Sequence, residues 1–372
     1  LAGNSIGREF IVTTFGESHG KVVGVLIDGC PAGLALKETD FQEELDQRIP
    51  NNPHIVSPRM EKDTVQIWSG VFNGKTTGAP LTLTVENKEN RSSDYEAAKT
   101  LPRPAHSDYP AHIRYDGFND YRGGGRFSGR ITAATIIAGV VAKKLLAHQN
   151  IEVLAYTQAI GAVNSQKKFT PTTIRENRKA TATRCPDRAD DTKMEEAILS
   201  AKEAGDSIGG VIECLTLNMP AGIGEPLFDT LDGDLAKALF SIPAVKGVEF
   251  GAGFRSTQLR GSENNDAMRI KDGKVITTTQ NAGGIMGGLS NGMPIILRVA
   301  IKPTPSITKE QQTVDLATMT NAQLCIKGRH DYCIVPKAVP VVEATVAITL
   351  IDHLIRAGKI PKTLRSQNNE SN

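Results

Sequence analysis

The chain has 372 residues, 39% of them hydrophobic and 23% charged, with a formal net charge of +2. That is the profile of an ordinary globular protein of one large domain or two smaller ones, and it excludes the global basic field that draws proteins to nucleic acid or to a membrane surface. The five cysteines form no C-x-x-C pair, which argues against a disulfide framework or a zinc site and fits a reducing cytoplasm. No apolar run reaches bilayer length, and the N-terminus lacks a signal-peptide layout.

In chain order, 9–14 and 22–28 read as strands flanking GESHG at 16–20. Residues 38–48 read as a short helix stopped by Pro50. Residues 65–71 and 81–85 are strand-like, with an Asn73-Gly74 turn between them. A long polar loop follows over 87–120, and long loops in compact domains are usually functional or mobile. Ser128 is the expected N-cap of a long buried helix over 131–149. Residues 163–195 are polar without a clear period and are expected to be an exposed excursion. Helices are expected at 194–204 and 232–241, and strands at 210–218, 275–279 and 294–301. A second glycine-rich loop covers 281–292, and a long apolar helix runs from about 339 to 356. Strands and helices come in mixed order, which favours α+β. No linker divides the chain, so one domain over 1–362 is expected, with a polar, disordered tail at 363–372.

Five short constellations carry chemistry. His19, between glycines in GESHG, is either a ligand-facing imidazole or a solvated turn residue. In RPAHSD, Arg103 lies three residues before His106 and Asp108 two after. An arginine depresses a neighbouring imidazole and an anionic ligand raises it, which suits a proton donor near a phosphate; the alternative is a surface-loop histidine. In YRGGGRFSGR, three glycines flanked by Arg122, Arg126 and Arg130 enter a helix N-terminus, an anion site in its composition. It is neither a Walker loop nor a dinucleotide fingerprint. GGIMGGLSNG with KPTPSI offers glycines on which a planar ring could lie, and Lys302 beside it. In KGRHD, Arg329 and Asp331 share a face if extended, as an ion pair or as a base in a cleft.

Taken together, GNSIGREFIVTTFGESHGKVVGVLIDGCPAGL, SGVFNGKTTGAP, DYRGGGR, GDSIGG, GIGEPLFD, AVKGVEFGAGF, NAGGIMGGLSNG, KPTPSI and KGRHD occur in an order that resembles the chorismate synthases over nearly the full chain. The resemblance implies a β-α-β sandwich, with helices between two antiparallel sheets, and a homotetramer. It implies a phosphorus-oxygen lyase of the shikimate pathway, which eliminates phosphate from 5-enolpyruvylshikimate 3-phosphate using reduced FMN without net redox change. NADPH would enter only indirectly, through a separate flavin reductase. His19, His106 and Asp331 match the family's acid/base residues. Arg48, Arg103 and Arg130 match substrate-holding arginines. Ser128, Gly129, Ala244, Gly287, Lys302, Thr304, Ser306 and Arg329 match flavin-site positions. No metal is implied. The chain departs from the family pattern at Ile49, His54, Ala105, Phe127 and Pro243. Leu1 stands where the family has methionine, and a non-AUG start is the expectation. Nucleic acid is disfavoured as a partner because acidic residues nearly balance basic ones.

Overall fold

A computed structural model describes residues 3–49, 52, 55, 63–88, 99–326 and 330–365. Its frame is two five-stranded antiparallel sheets. In spatial order the first contains Ser5–Ile6, Ile11–Gly16, Val22–Asp28, Leu81–Glu86 and Val65–Ser69. The second contains Val245–Phe250, Ile295–Ile301, Gly210–Leu217, Glu152–Ile160 and Val163–Asn164. Period-2 patterning sets which face turns inward: Val23, Val25 and Ile27 are buried while Leu26 is exposed, and Ile295, Leu297, Val299 and Ile301 are all buried.

Two long helices, Thr132–Ala147 and Val335–Arg356, fill the space between the sheets. The first packs on strand Val22–Asp28, the second on strand Glu152–Ile160, and the two pack on each other. Their crossing is close: a β-carbon on Gly139 would lie 2.3 Å from Ala344 Cβ. A helix covered on every side must be apolar on every side, which is why these two lack a polar face. By length and composition Val335–Arg356 could cross a membrane, but 94% of its apolar window is buried inside the protein. The architecture is the expected α+β sandwich.

Several expectations are corrected. Residues 163–195 are not an exposed excursion. They contain the helix Pro171–Asn177, capped by Thr170, and the start of the helix Arg188–Glu203, capped by Asp187. Arg178, Thr183, Arg184, Cys185, Asp191 and Met194 are buried. Most of their polar atoms find partners inside the protein: Asp191 accepts from Thr183 N at 2.8 Å, and Arg184 donates to Pro336 O at 2.9 Å and to Gln47 O at 2.5 Å. The strand Glu152–Ile160 was not expected, nor were Val245–Phe250 and the hairpin Gln311–Asp315/Thr320–Leu324. The 87–120 segment holds a helix, Asp108–Arg114. Of the expected 363–372 tail, Leu364 is paired, its N donating to Ala32 O at 2.8 Å, and residues 366–372 lie outside the described residues.

One buried charge cluster ties the layers together. Glu343, fully buried in the last helix, accepts from Lys143 Nζ at 2.8 Å, from Ala155 N at 2.6 Å and from Arg178. Lys143 also donates to Glu44 at 2.9 Å.

Candidate active site

Both central helices begin at one cleft of about 660 Å³, within the usual range for small-molecule sites. Residues 128–132, leading into Thr132–Ala147, form one wall, and 330–338, leading into Val335–Arg356, form another. Unpaired backbone N–H groups and the positive end of each helix dipole therefore favour anions there. Ser128 caps the entry turn: its Oγ accepts from Arg130 N at 3.3 Å.

The two glycine motifs interlock around histidines. Ser18 N donates to Gly125 O at 3.1 Å, which lays GESHG on RGGGR. A β-carbon on Gly123 would lie 2.7 Å from His19 Nε2, and one on Gly124 would lie 3.2 Å from His106 Nε2. Only glycine permits that approach, and both positions have positive φ. His19 is 8% exposed, so it is not a solvated turn residue; it sits behind Gly123, which lines the cleft.

His106 lines the cleft directly. Its Nδ1 lies 2.5 Å from Asp108 Oδ1 and 3.1 Å from Arg103 Nη2. Burial pushes its pKa below the ordinary value, with Arg103 and Lys302 acting the same way and Asp108 opposing. Burial alone would raise the Asp108 carboxyl, but hydrogen bonds from Arg103 and His106 hold it well below the usual carboxylate range. Burial, with Lys246 nearby, lowers Lys302.

The arginines are held by carboxylates. Asp63, 7% exposed, accepts from Arg130 Nη1 at 2.6 Å and from Arg48 Nη1 at 2.5 Å. Arg130 also donates to Asn87 Oδ1 at 2.8 Å. On the facing wall Asp331 pairs with Lys337 Nζ at 2.7 Å, and its carbonyl accepts from Thr304 Oγ1 at 2.8 Å. Lys302 Nζ donates to Ala105 O at 2.9 Å, and Arg103 Nη1 to Ser306 Oγ at 3.3 Å.

The structure thus gathers Arg48, Arg103, His106, Ser128, Gly129, Arg130, Ala244, Lys302, Thr304, Ser306 and Asp331 around one cavity, from six separate stretches of chain. Neither His19, which sits behind Gly123, nor Gly287 lines it. Gly287 sits in the Ile285–Ser290 turn, whose next residue, Gly288, packs against Thr230 at the start of helix Leu231–Phe240; the far end of that helix reaches the cleft. A ten-residue helix puts about 15 Å between the two. The other glycines of that loop serve backbone packing: β-carbons on Gly283 and Gly284 would lie 2.3 Å and 2.4 Å from the backbone of Gly251 and Pro294. Arg329 and His54 lie outside the described residues. Ile49, Ala105, Phe127 and Pro243 all line the cleft. Ala105 and Ala244 have φ of 60° and 72°, costly for a residue with a β-carbon. Four charged or titratable cleft residues went unnoticed in the sequence: Asp63, Lys246, Lys337 and His330. Lys337 had a faint signal as a cation in the first turn of the last helix, Lys246 and His330 lay unremarked inside AVKGVEFGAGF and KGRHD, and Asp63 had none. Burial lowers the His330 pKa. No cluster able to hold a metal occurs among the described residues.

Imidazoles, a carboxylate and several cations converging on a cavity at two helix N-termini define an enzyme that handles protons beside a polyanionic small molecule. The comparisons narrow this. The family model for chorismate synthase matches residues 10–355. Chorismate synthase of Dehalococcoides mccartyi is 53% identical over 362 residues, covering 97% of this chain and 99% of that protein. Those of Korarchaeum cryptofilum and Methanosarcina mazei are 51% and 50% identical, covering 96% and 98% of this chain and 99% and 100% of theirs. A crystal structure of chorismate synthase superposes with a TM-score of 0.76 at 32% identity, covering 95% of this chain and 93% of that one. The chain belongs to the chorismate synthase family. It is accordingly a lyase of the shikimate pathway.

Proposed function

We propose that the cleft binds 5-enolpyruvylshikimate 3-phosphate together with reduced FMN and eliminates phosphate to give chorismate. The observation that carries this reading is the meeting of His106, Asp331 and the His19–Gly123 contact with seven cationic side chains in one cavity. The cavity volume, the helix N-terminus at Ser128–Gly129 and the cations Lys302 and Lys246 fit a phosphate-bearing flavin. Ser128, Gly129, Ala244, Lys302, Thr304 and Ser306 would hold it. Bound there, reduced FMN would supply a reversible one-electron donation without net consumption.

The chain's own groups bind, orient and move protons. Arg48 and Arg130, fixed side by side through Asp63, and Arg103, fixed by Asp108, present guanidinium forks to the substrate's phosphate and carboxylates. His19 protonates the departing phosphate. His106 takes up and delivers a proton at Nε2 on the flavin side of the cleft. Asp331, fixed by Lys337 and by the Thr304 bond to its carbonyl, is the base that receives the hydrogen lost from C6 as a proton. The apolar floor made by Ile334, Ala338 and Val341 lowers the local dielectric and so strengthens each of these interactions.

The test is anaerobic: purified protein, photoreduced FMN and substrate, with chorismate absorbance and phosphate release followed together. Equal release of both without net flavin oxidation is expected; flavin and substrate binding without product would defeat the catalytic reading. Reducing equivalents from NADPH come through a separate reductase, so NADPH consumption by the chain alone would be contrary. A homotetramer in the cytoplasm completes the reading. Exposed Phe118, Leu227, Phe228 and Phe254, 79–96% accessible in the isolated chain, are apolar surface suited to contact between copies. Sedimentation of a monomer would refute the tetramer.

A further inference from the structure

The 102–108 loop contains a carboxylate with no part in the substrate contacts above. Asp108 opens the helix Asp108–Arg114 and turns back into its own loop. Its Oδ2 accepts from Arg103 N at 3.0 Å and from Arg103 Nε at 2.7 Å. Its Oδ1 accepts from Arg103 Nη2 at 2.8 Å and faces His106 Nδ1 at 2.5 Å. The side chain is only 8% exposed.

Two arrangements compete at Nδ1. With Nδ1 bare, Arg103 Nη2 could donate to it across 3.1 Å, but the nitrogen lone pair would then face an ionised carboxylate oxygen at 2.5 Å. With Nδ1 protonated, that same contact is a short charge-assisted hydrogen bond, and Nη2 keeps Asp108 as its acceptor. The second arrangement wins. It leaves Nε2 bare beside Gly124, and Nε2 has no hydrogen-bond partner among the described residues.

We propose that Asp108 is a positioning residue for the reaction: it locks His106 in the Nδ1–H form, presents Nε2 to the cleft and stabilises the imidazolium formed when Nε2 takes up a proton. The inference rests on the proton role given to His106. The charged groups facing the ring are Asp108 and Arg103 from its own loop and Lys302 from the end of strand Ile295–Ile301. Burial and both cations favour the neutral ring, and Asp108 alone among them opposes. Without Asp108 the ring would load a proton only at lower pH.

The test is solid-state NMR of enzyme labelled with ¹⁵N-histidine, using His106→Gln to identify the His106 signals. In the wild type at pH 8, a protonated Nδ1 and a bare Nε2 are expected. In Asp108→Ala the proton redistributes toward Nε2 and the titration midpoint falls by about one pH unit or more. Turnover should fall about 10- to 100-fold, within the range of impaired proton transfer. A wild-type ring with its proton on Nε2 overturns the proposal, and that measurement does not depend on Asp108→Ala folding. An unchanged tautomer and midpoint in folded Asp108→Ala does the same. Full turnover in His106→Gln removes the parent reading and this one with it. An inactive His106→Gln beside an Nε2-protonated wild type removes only the role of Asp108.

Discussion

Two buried carboxylates in this molecule hold nearly the same partners and do different things. Glu343 binds Arg178, Lys143 and a backbone N–H between the layers of the sandwich. Asp108 binds Arg103, a backbone N–H and His106 on the wall of the cleft. Their side chains are 0% and 8% exposed, so burial does not separate them. Nor does a lowered pKa, which both carboxyls have against the pull of burial, through their cationic partners. What differs is the remainder of each cluster. Around Glu343 the charges meet inside the core and close on one another, joining both central helices to the second sheet. Around Asp108 one member, His106, keeps a titratable nitrogen toward a cavity. A buried ion pair is structural when it closes on itself and functional when it steadies a group that faces a ligand.

The largest effects should fall on the cleft. His106→Ala and Asp331→Asn are each expected to lower turnover 10²–10⁴-fold while leaving the unfolding midpoint nearly unchanged; single-turnover assays beside calorimetry check this. Wild-type turnover in either variant would remove that residue from the chemistry. Glu343→Ala should reverse the pattern, losing about 3–5 kcal/mol of stability because Arg178 is left buried without its counter-ion, while Lys143 keeps only Glu44. Turnover per folded molecule should stay near wild type, and a drop to the level of His106→Ala would collapse the contrast. Arg130→Ala sits between the two regions. It should weaken substrate binding by about 10- to 100-fold, in keeping with a lost charged hydrogen bond, and should also destabilise Asp63. Unchanged substrate affinity would confine Arg130 to the structural class.

Acidity sharpens the comparison more gently. The pKa values of His106, His330 and His353 are all lowered, chiefly by burial. The unfolded chain therefore takes up protons near pH 6.5 that the folded chain refuses. Stability contributed by these rings is intact above that pH and is lost as pH falls toward their folded values. The thermal midpoint should decline from about pH 6.5 downward, and a flat profile there would contradict the burial of these rings. The smallest effect expected is a gain. Ala105 holds a φ of 60°, so Ala105→Gly should stabilise the protein by about 1 kcal/mol, read as a rise in midpoint of a few degrees. A fall would mean that the alanine methyl makes a compensating contact.

What the sequence by itself determined was local and repetitive. Period-2 runs marked Val22–Asp28 and Ile295–Ile301, all-round apolarity marked the two central helices, and glycine–histidine–arginine motifs marked the residues of the cleft. Those signals survive in one dimension because they depend on neighbours in the chain. Tertiary structure decided the rest. The 163–195 stretch reads as surface because it is polar, yet Arg178, Arg184 and Asp191 are buried, each meeting partners supplied by distant or folded-back chain. Strand Glu152–Ile160 has buried residues on both faces, so it shows no alternation to read. Asp63 reaches Arg130 from 67 positions away, and Lys143 meets Glu343 across 200. Gly287 carries a motif that looks ready for a ligand, but the length of a helix separates it from the cleft. Which charges close on one another and which face a cavity is a property of distance in space, and a sequence contains only distance along the chain.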